Sequence, residues 1–290
     1  MAGLRGGIKT VAIYDPATGT TVQLNSIAAD STYTGEPIPS ETTTGQVYGG
    51  MTHTLAVNFF DSGAPMTQLR AWMNADTPVK AVAIGPQAAL LWYEPVVLSV
   101  NRGRNVNKRD GLNLNSLEMI FPGETSAIQS GINLADLAVK AAGFALGWGG
   151  AGAGDVADGY TEFNAIADPW SAGVQGFSWN STGTTSAIRL EFEFPIAGAV
   201  FTGRSQLTAT SGTGTRVIQI QSLNYAGTAT ATGSTEFEAL GIESATLTTP
   251  AATYKVRFDP VFMSGLSGAN TAAFRDPGLR LDGNDVYINH

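Results

Sequence analysis

Six consecutive residues, Arg189-Leu190-Glu191-Phe192-Glu193-Phe194, alternate charged and apolar without a break. A period of two puts successive side chains on opposite faces of a β-strand. Leu190, Phe192 and Phe194 therefore share an inward face, and Arg189, Glu191 and Glu193 an outward one. A helix cannot segregate that pattern. Shorter stretches of the same kind recur along the 290 residues, separated by clusters of Gly, Pro, Asn and Asp. Such punctuation reads as turns between short strands, so the chain is expected to be mainly β.

In order, residues 9–14 and 20–24 flank Asp15-Pro16-Ala17-Thr18-Gly19 and read as a hairpin. Residues 25–50 carry Gly35, Pro37, Pro39, Gly45 and a threonine run at 42–44, and read as a long polar loop. Residues 52–60 alternate again. Leu69, Trp72 and Met73 stand at helical spacing, with Pro65 suited to a first turn, which predicts one short helix over 66–74. Strands are expected at 79–84, 88–93, 95–100 and 112–121. A second series follows at 189–194, 201–210, 217–223, 236–240, 243–248 and 254–258. Between the two series, 134–146 could form a helix, weakened by Gly143, and 147–154 is a Gly/Ala linker with one Trp. The expected organisation is a domain over 1–132, a linker over 133–155 and a β-sandwich over 156–290.

Sixteen basic against 24 acidic residues give a net charge of −8. Phosphate neutralisation needs clustered Lys and Arg, so a general nucleic-acid binder is not expected, nor adhesion to an anionic membrane. There is no cysteine, hence no disulfide framework and no thiolate metal site. No run approaches 18 apolar residues and residues 1–10 lack an apolar signal core, so a soluble protein made in the cytoplasm is expected.

Chemistry-bearing constellations are sparse. His53 lies in an alternating stretch with no nucleophile motif near it, and neither G-x-S-x-G nor a P-loop is present. No enzyme activity and no cofactor are expected. The pairs Glu191/Glu193 and Glu236/Glu238 could suggest glycoside hydrolysis, but they are also what an outward strand face looks like. Asp282-Gly283-Asn284-Asp285 could ligate calcium or form a surface turn. Arg102, Arg104, Lys108 and Arg109 form a basic turn suited to a contact with a neighbouring subunit, to phosphate, or to a solvated hairpin tip. Trp148, Trp170 and Trp179, near Tyr160 and Phe177, could stack on sugars or pack a sandwich core.

Phe59-Phe60-Asp61, then Leu69-Arg70-Ala71-Trp72, then Thr77-Pro78-Val79, in this order of elements, resemble the tail tube proteins of long-tailed (siphovirus-type) phages and the related tubes of contractile injection systems. The resemblance implies a β-sandwich or partial barrel with one short helix. It further implies hexameric rings stacked into a tube, other tail proteins as partners, and a lumen that passes DNA without binding it. A place in the virion tail and a role in DNA ejection would follow. The segment 25–50, with Tyr33, Thr34, Glu36, Pro37, Thr43 and Tyr48, would reach the next ring. Phe192-Glu193-Phe194-Pro195, Val217-Ile218-Gln219-Ile220, Leu247-Thr248-Thr249-Pro250-Ala251 and Phe274-Arg275-Asp276-Pro277 resemble a carbohydrate-binding-module-like jelly roll, implying an outward accessory domain that could meet surface glycans. The alternative reading is a carbohydrate-binding adhesin or tail-associated receptor-binding protein.

Overall fold

The computed structural model describes residues 8–42, 45–60, 63–84, 89–91, 96–97, 105–106, 113–121, 132–133, 160–163, 177–181, 185–267, 270–282, 284–285 and 287–288. The protein is mainly β, with one short helix among these residues. It divides into two compact units, Met1–Asn133 and Leu134–Ile288.

In the first unit β1 (Thr10–Tyr14) and β2 (Thr21–Leu24) form the expected hairpin. Asp15 shapes its turn, its carboxylate accepting from Ala17 N and Thr18 Oγ1, both at 2.8 Å. Next come β3 (Thr32–Thr42), β4 (Gly45–Phe59), α1 (Ala64–Asn74), β5 (Pro78–Ile84), β6 (Ala89–Leu91), β7 (Val96–Val97), β8 (Asn105–Val106), β9 (Asn113–Phe121) and β10 (Ile132–Asn133). One sheet runs β2-β1-β5-β6-β10 with β7 beside β5, and another runs β3-β4-β9-β8. Their shared core gathers Val11, Ile13 and Leu24, Leu55, Val57 and Phe59, and Leu117 and Met119, with Leu69 and Trp72 of α1. Burial on both faces explains why β1 reads as the continuous run Val-Ala-Ile-Tyr rather than as alternation: Ala12 and Tyr14 are buried as well.

The segment 25–50 corrects the expectation of a loop. It is largely a hairpin, β3 against β4, in register from Thr32↔Ala56 to Thr42↔Gly45. Threonine and tyrosine favour extended backbone even without an apolar face. Prolines are tolerated because β3 is an edge strand whose register shifts between Pro37 and Pro39. Among the described residues β4 pairs with β9 over His53–Phe59, and Gly45–Thr52 pairs with β3.

The second unit contains β11 (Tyr160–Phe163), β12 (Phe177–Ser181), β13 (Thr185–Glu193), β14 (Val200–Ser211), β15 (Thr215–Leu223), β16 (Ala229–Glu236), β17 (Gly241–Thr248), β18 (Lys255–Ser264), β19 (Asn270–Leu281) and β20 (Asn284–Asp285). They form two antiparallel sheets, β11-β13-β18-β15-β16 and β12-β19-β14-β17 with β20 beside β19. Phe192, Phe194 and Phe201 pack edge to face between them, the Phe194–Phe201 centroids 4.9 Å apart. The sheets approach closely at Gly203, where a Cβ would lie 2.5 Å from Phe258 Cε2 and 3.2 Å from Ile220 Cδ1. At one corner the sheets nearly join. Thr235 Oγ1 donates to Ser244 O at 2.7 Å, and a Cβ on Gly233 would overlap the Thr246 carbonyl.

Among the differences from the sequence reading, two strand limits have a clear local cause. The strand expected at 236–240 is β16, ending at Glu236; Phe237 then turns inward and 238–240 bend. The alanines, threonines and glycine of β16 offer no apolar alternation to read. The strand expected to stop at Phe258 continues to Ser264, through Pro260. Proline lacks a ladder donor and is foreign to a central strand. Here it sits in a β-bulge seen from both neighbours. β13 pairs Leu190↔Phe258 and Ile188↔Val261, while β15 pairs Gln219↔Asp259 and Val217↔Phe262.

Candidate functional site: the polar face around Asp259

A bulge bends its strand and re-aims a side chain. The bulge at Asp259-Pro260 places the Asp259 carboxylate on the outward face of the sheet, between β13 and β15. Arg189 Nε donates to Oδ1 at 3.2 Å and its Nη2 to Oδ2 at 3.3 Å. Gln219 Nε2 donates to Oδ2 at 2.9 Å. Asp259 has no exposed surface, and Gln219 is buried too. Burial pushes the Asp259 carboxyl above its ordinary range, against the opposing pull of Arg189 and Gln219.

One step along the strands the same face opens to solvent. Arg257 donates to Glu191 Oε2 through Nε at 3.0 Å and Nη2 at 2.8 Å, and to Gln221 Oε1 through Nη1 at 3.3 Å. Lys255 Nζ donates to Glu191 Oε1 at 3.1 Å. Gln221 Nε2 continues the row to Thr232 Oγ1 at 3.3 Å. The side chains of Glu191, Lys255 and Arg257 keep between 22% and 33% of their surface. Burial raises the Glu191 carboxyl, but the hydrogen bonds and charges of Arg257 and Lys255 outweigh it, so its pKa falls below the usual value. A carboxylate so committed is a poor proton donor near neutrality, which argues against an acid role for Glu191.

The face ends at aromatic residues. Tyr254 Oη donates to Glu193 Oε1 at 3.2 Å, and the Tyr225 ring stands perpendicular to the Tyr254 ring with centroids 5.0 Å apart.

Of the residues singled out in the sequence, Glu191 and Glu193 stand on this face. Trp148, Trp170, Arg102, Arg104, Lys108, Arg109 and Thr43 lie outside the described residues, as does the helix considered for 134–146. Trp179 stands on β12 opposite Ala272. Tyr33, Thr34, Glu36, Pro37 and Tyr48 lie on the β3–β4 hairpin. In the segment considered for calcium, Asp282 Oδ1 accepts from Val200 N at 3.0 Å, and Asn284 pairs with Leu281. Among the described residues no group of three or more His, Asp and Glu could hold a metal, and no helix is long and apolar enough to cross a membrane. The sequence signal for the polar face was present: the outward Arg189, Glu191 and Glu193 of the alternating strand. What it lacked was the partner segment, 61 to 70 residues away.

No family model matches the chain, and no curated protein does. Among solved structures it is similar to one described as "CBM4 structure and function", at 15% identity and TM-score 0.33, covering 43% of this chain and 96% of the other. A second, described under the promiscuous specificity of carbohydrate-binding modules of the β-sandwich superfamily, shares 12% identity at TM-score 0.30 over 97% of this chain and 92% of the other. A third is the enzymatically active domain of bacteriophage CBA120 tailspike protein 4, at 15% identity and TM-score 0.29, covering 42% of this chain. The chain spans 17% of that tailspike chain. Likenesses this weak carry no argument about activity.

Proposed function

We propose that the second unit binds saccharide without altering it, on the outward face of β13, β18, β15 and β16. The observation that carries this reading is the row Glu191–Arg257–Gln221–Thr232. It is a half-exposed line of guanidinium, carboxylate, amide and hydroxyl groups, held by one another on a rigid sheet beside aromatic rings. Sugar hydroxyls both donate and accept, and fixed polar groups flanked by an aromatic surface answer both halves of a saccharide's surface. Surface ion pairs contribute little to stability, so strand fastening alone is a weak account of the row. The test is a glycan array with the whole chain, followed by calorimetric titration of any ligand found. Arg257→Ala should weaken binding about tenfold or more, on the scale of a lost charge-assisted hydrogen bond. Failure of the wild-type chain to bind any saccharide refutes the reading.

A second reading concerns the first unit, and one observation favours it: the part of the β3–β4 hairpin beyond β9. A two-stranded ribbon is at best marginal alone in water. We infer that this arm docks on another copy of the chain, as a tail tube subunit would use it. Negative-stain electron microscopy of concentrated protein should then show rings or tubes, and removal of residues 36–50 should abolish them. Discrete monomers at every concentration count against this reading.

A further inference from the structure

Resting on the saccharide reading of the second unit, we infer that Tyr225 is the stacking platform of its site and that the ligand is an uncharged saccharide. An exposed aromatic is ordinary by itself. Tyr225, at 47% exposure, differs in how it is held. It sits in a tight turn between β15 and β16, closed by Gly227 N to Asn224 O at 2.9 Å, Asn224 N to Thr228 O at 2.9 Å, and Thr228 N to Asn224 Oδ1 at 2.9 Å. Gly227 supplies the positive φ, 81°, that this turn requires.

The ring itself is braced by Tyr254, which is 3% exposed and fixed at both ends. Its backbone N donates to Leu223 O at 2.7 Å and its hydroxyl to Glu193. An aromatic immobilised before its ligand arrives loses little freedom on binding.

The platform adjoins the polar row. Leu223 and Glu193 are both register partners of Lys255, and Gln221 and Glu191 are both partners of Arg257, one step of two residues or about 7 Å further along the sheet. A ligand on Tyr225 therefore reaches Glu191, Arg257, Gln221 and Thr232 as an oligosaccharide running along the strands.

The charges on this face indicate which saccharide. Lys255 and Arg257 are both engaged by Glu191, and Arg189 is engaged by Asp259. A uronate or sulfate would compete with carboxylates already in place, on a chain of net charge −8. Hydroxyls can join the row without displacing an ion. The same engagement of Arg189, Lys255 and Arg257 argues against phosphate binding by nucleic acid on this face.

The experiment is native affinity electrophoresis of the whole chain through gels containing a neutral β-glucan, xylan, galactan or mannan, with a polyuronate as the charged comparison. At least one neutral polymer should retard the wild type. On that polymer Tyr225→Ala should weaken retardation roughly tenfold, while Tyr225→Phe keeps it, because the ring and not the hydroxyl does the stacking. A melting curve of each variant checks that the fold is intact. If Tyr225→Ala is retarded like the wild type while Arg257→Ala runs free, the platform is overturned and the saccharide face stands. If only the polyuronate retards the wild type, the uncharged ligand is overturned. If no polymer does, the saccharide reading falls with it.

Discussion

Replacing Gly203 by alanine tests the sandwich directly. The added Cβ would sit 2.5 Å from Phe258 Cε2, about 1 Å inside ordinary carbon contact, and 3.2 Å from Ile220 Cδ1. Phe258 and Ile220 are both fully buried, so neither can swing into solvent. Either the ring leaves its rotamer or the sheets separate locally. Overpacking of this kind costs about 1–3 kcal/mol. Restricting the unfolded chain returns roughly 0.4–1 kcal/mol, because Gly203 has an ordinary strand conformation. The net expectation is a loss of about 1–2 kcal/mol, or about 2–8 °C in the transition of this unit. Urea unfolding followed by circular dichroism measures it. Phe258→Leu should relieve the clash, so the double variant should lose less than the two single losses added together. Gly203→Ala as stable as the wild type, or strict additivity with Phe258→Leu, refutes the facing of these two sheets.

Three further outcomes follow from the same structure. Gly233→Ala should destabilise more than Gly203→Ala in the same urea assay, because its obstacle is the Thr246 carbonyl rather than a side chain. Thr249→Ala should cost about 1–3 kcal/mol by thermal melting, since the buried Thr249 Oγ1 donates to Ile196 O at 2.7 Å and accepts from Ala199 N at 3.0 Å. The two carboxylates should respond to acid with opposite signs. Glu191, lowered in the fold, contributes stability above its unfolded pKa that is lost as pH falls through its folded value, so Glu191→Gln should flatten the acid limb of stability against pH. Asp259, raised in the fold, contributes below its unfolded pKa and loses that contribution as pH rises through its folded value. The stability of the wild type relative to Asp259→Asn should therefore grow as pH falls.

The fold was legible where one face is apolar and the other is not. Leu190, Phe192 and Phe194 announce β13, and Leu69 with Trp72 announces α1. Legibility failed where strands have two polar faces or break a local rule. β3 mixes threonine with proline, glutamate and serine, and β16 is built mostly of threonine, alanine, glycine and serine, so neither carries an apolar period. β18 contains a proline that reads as a stop, and β19 contains Pro277 and Gly278. The candidate site was half legible. Arg189, Glu191 and Glu193 are conspicuous in sequence, but their partners Asp259, Arg257 and Lys255 on β18, and Tyr254 just before it, come from a segment whose adjacency only the sheet reveals. Tyr225 is not legible, because a lone tyrosine in Asn-Tyr-Ala-Gly is indistinguishable from any turn residue.

The proline of β18 also governs how the unit can misfold. A strand with a uniform ladder can slide by one residue and still satisfy its backbone, exchanging its faces as it does so. β18 has no such freedom. A one-residue slip in either direction brings Pro260 to a rung that needs a donor and turns the Asp259 carboxylate toward the phenylalanines. Both faults would occur at once. Those neighbours must find β18 across long stretches of chain, the kind of search in which trapped mispairings accumulate. The bulge thus serves as an error check on assembly, accepting a single alignment of three strands and making each adjacent alignment too costly to persist.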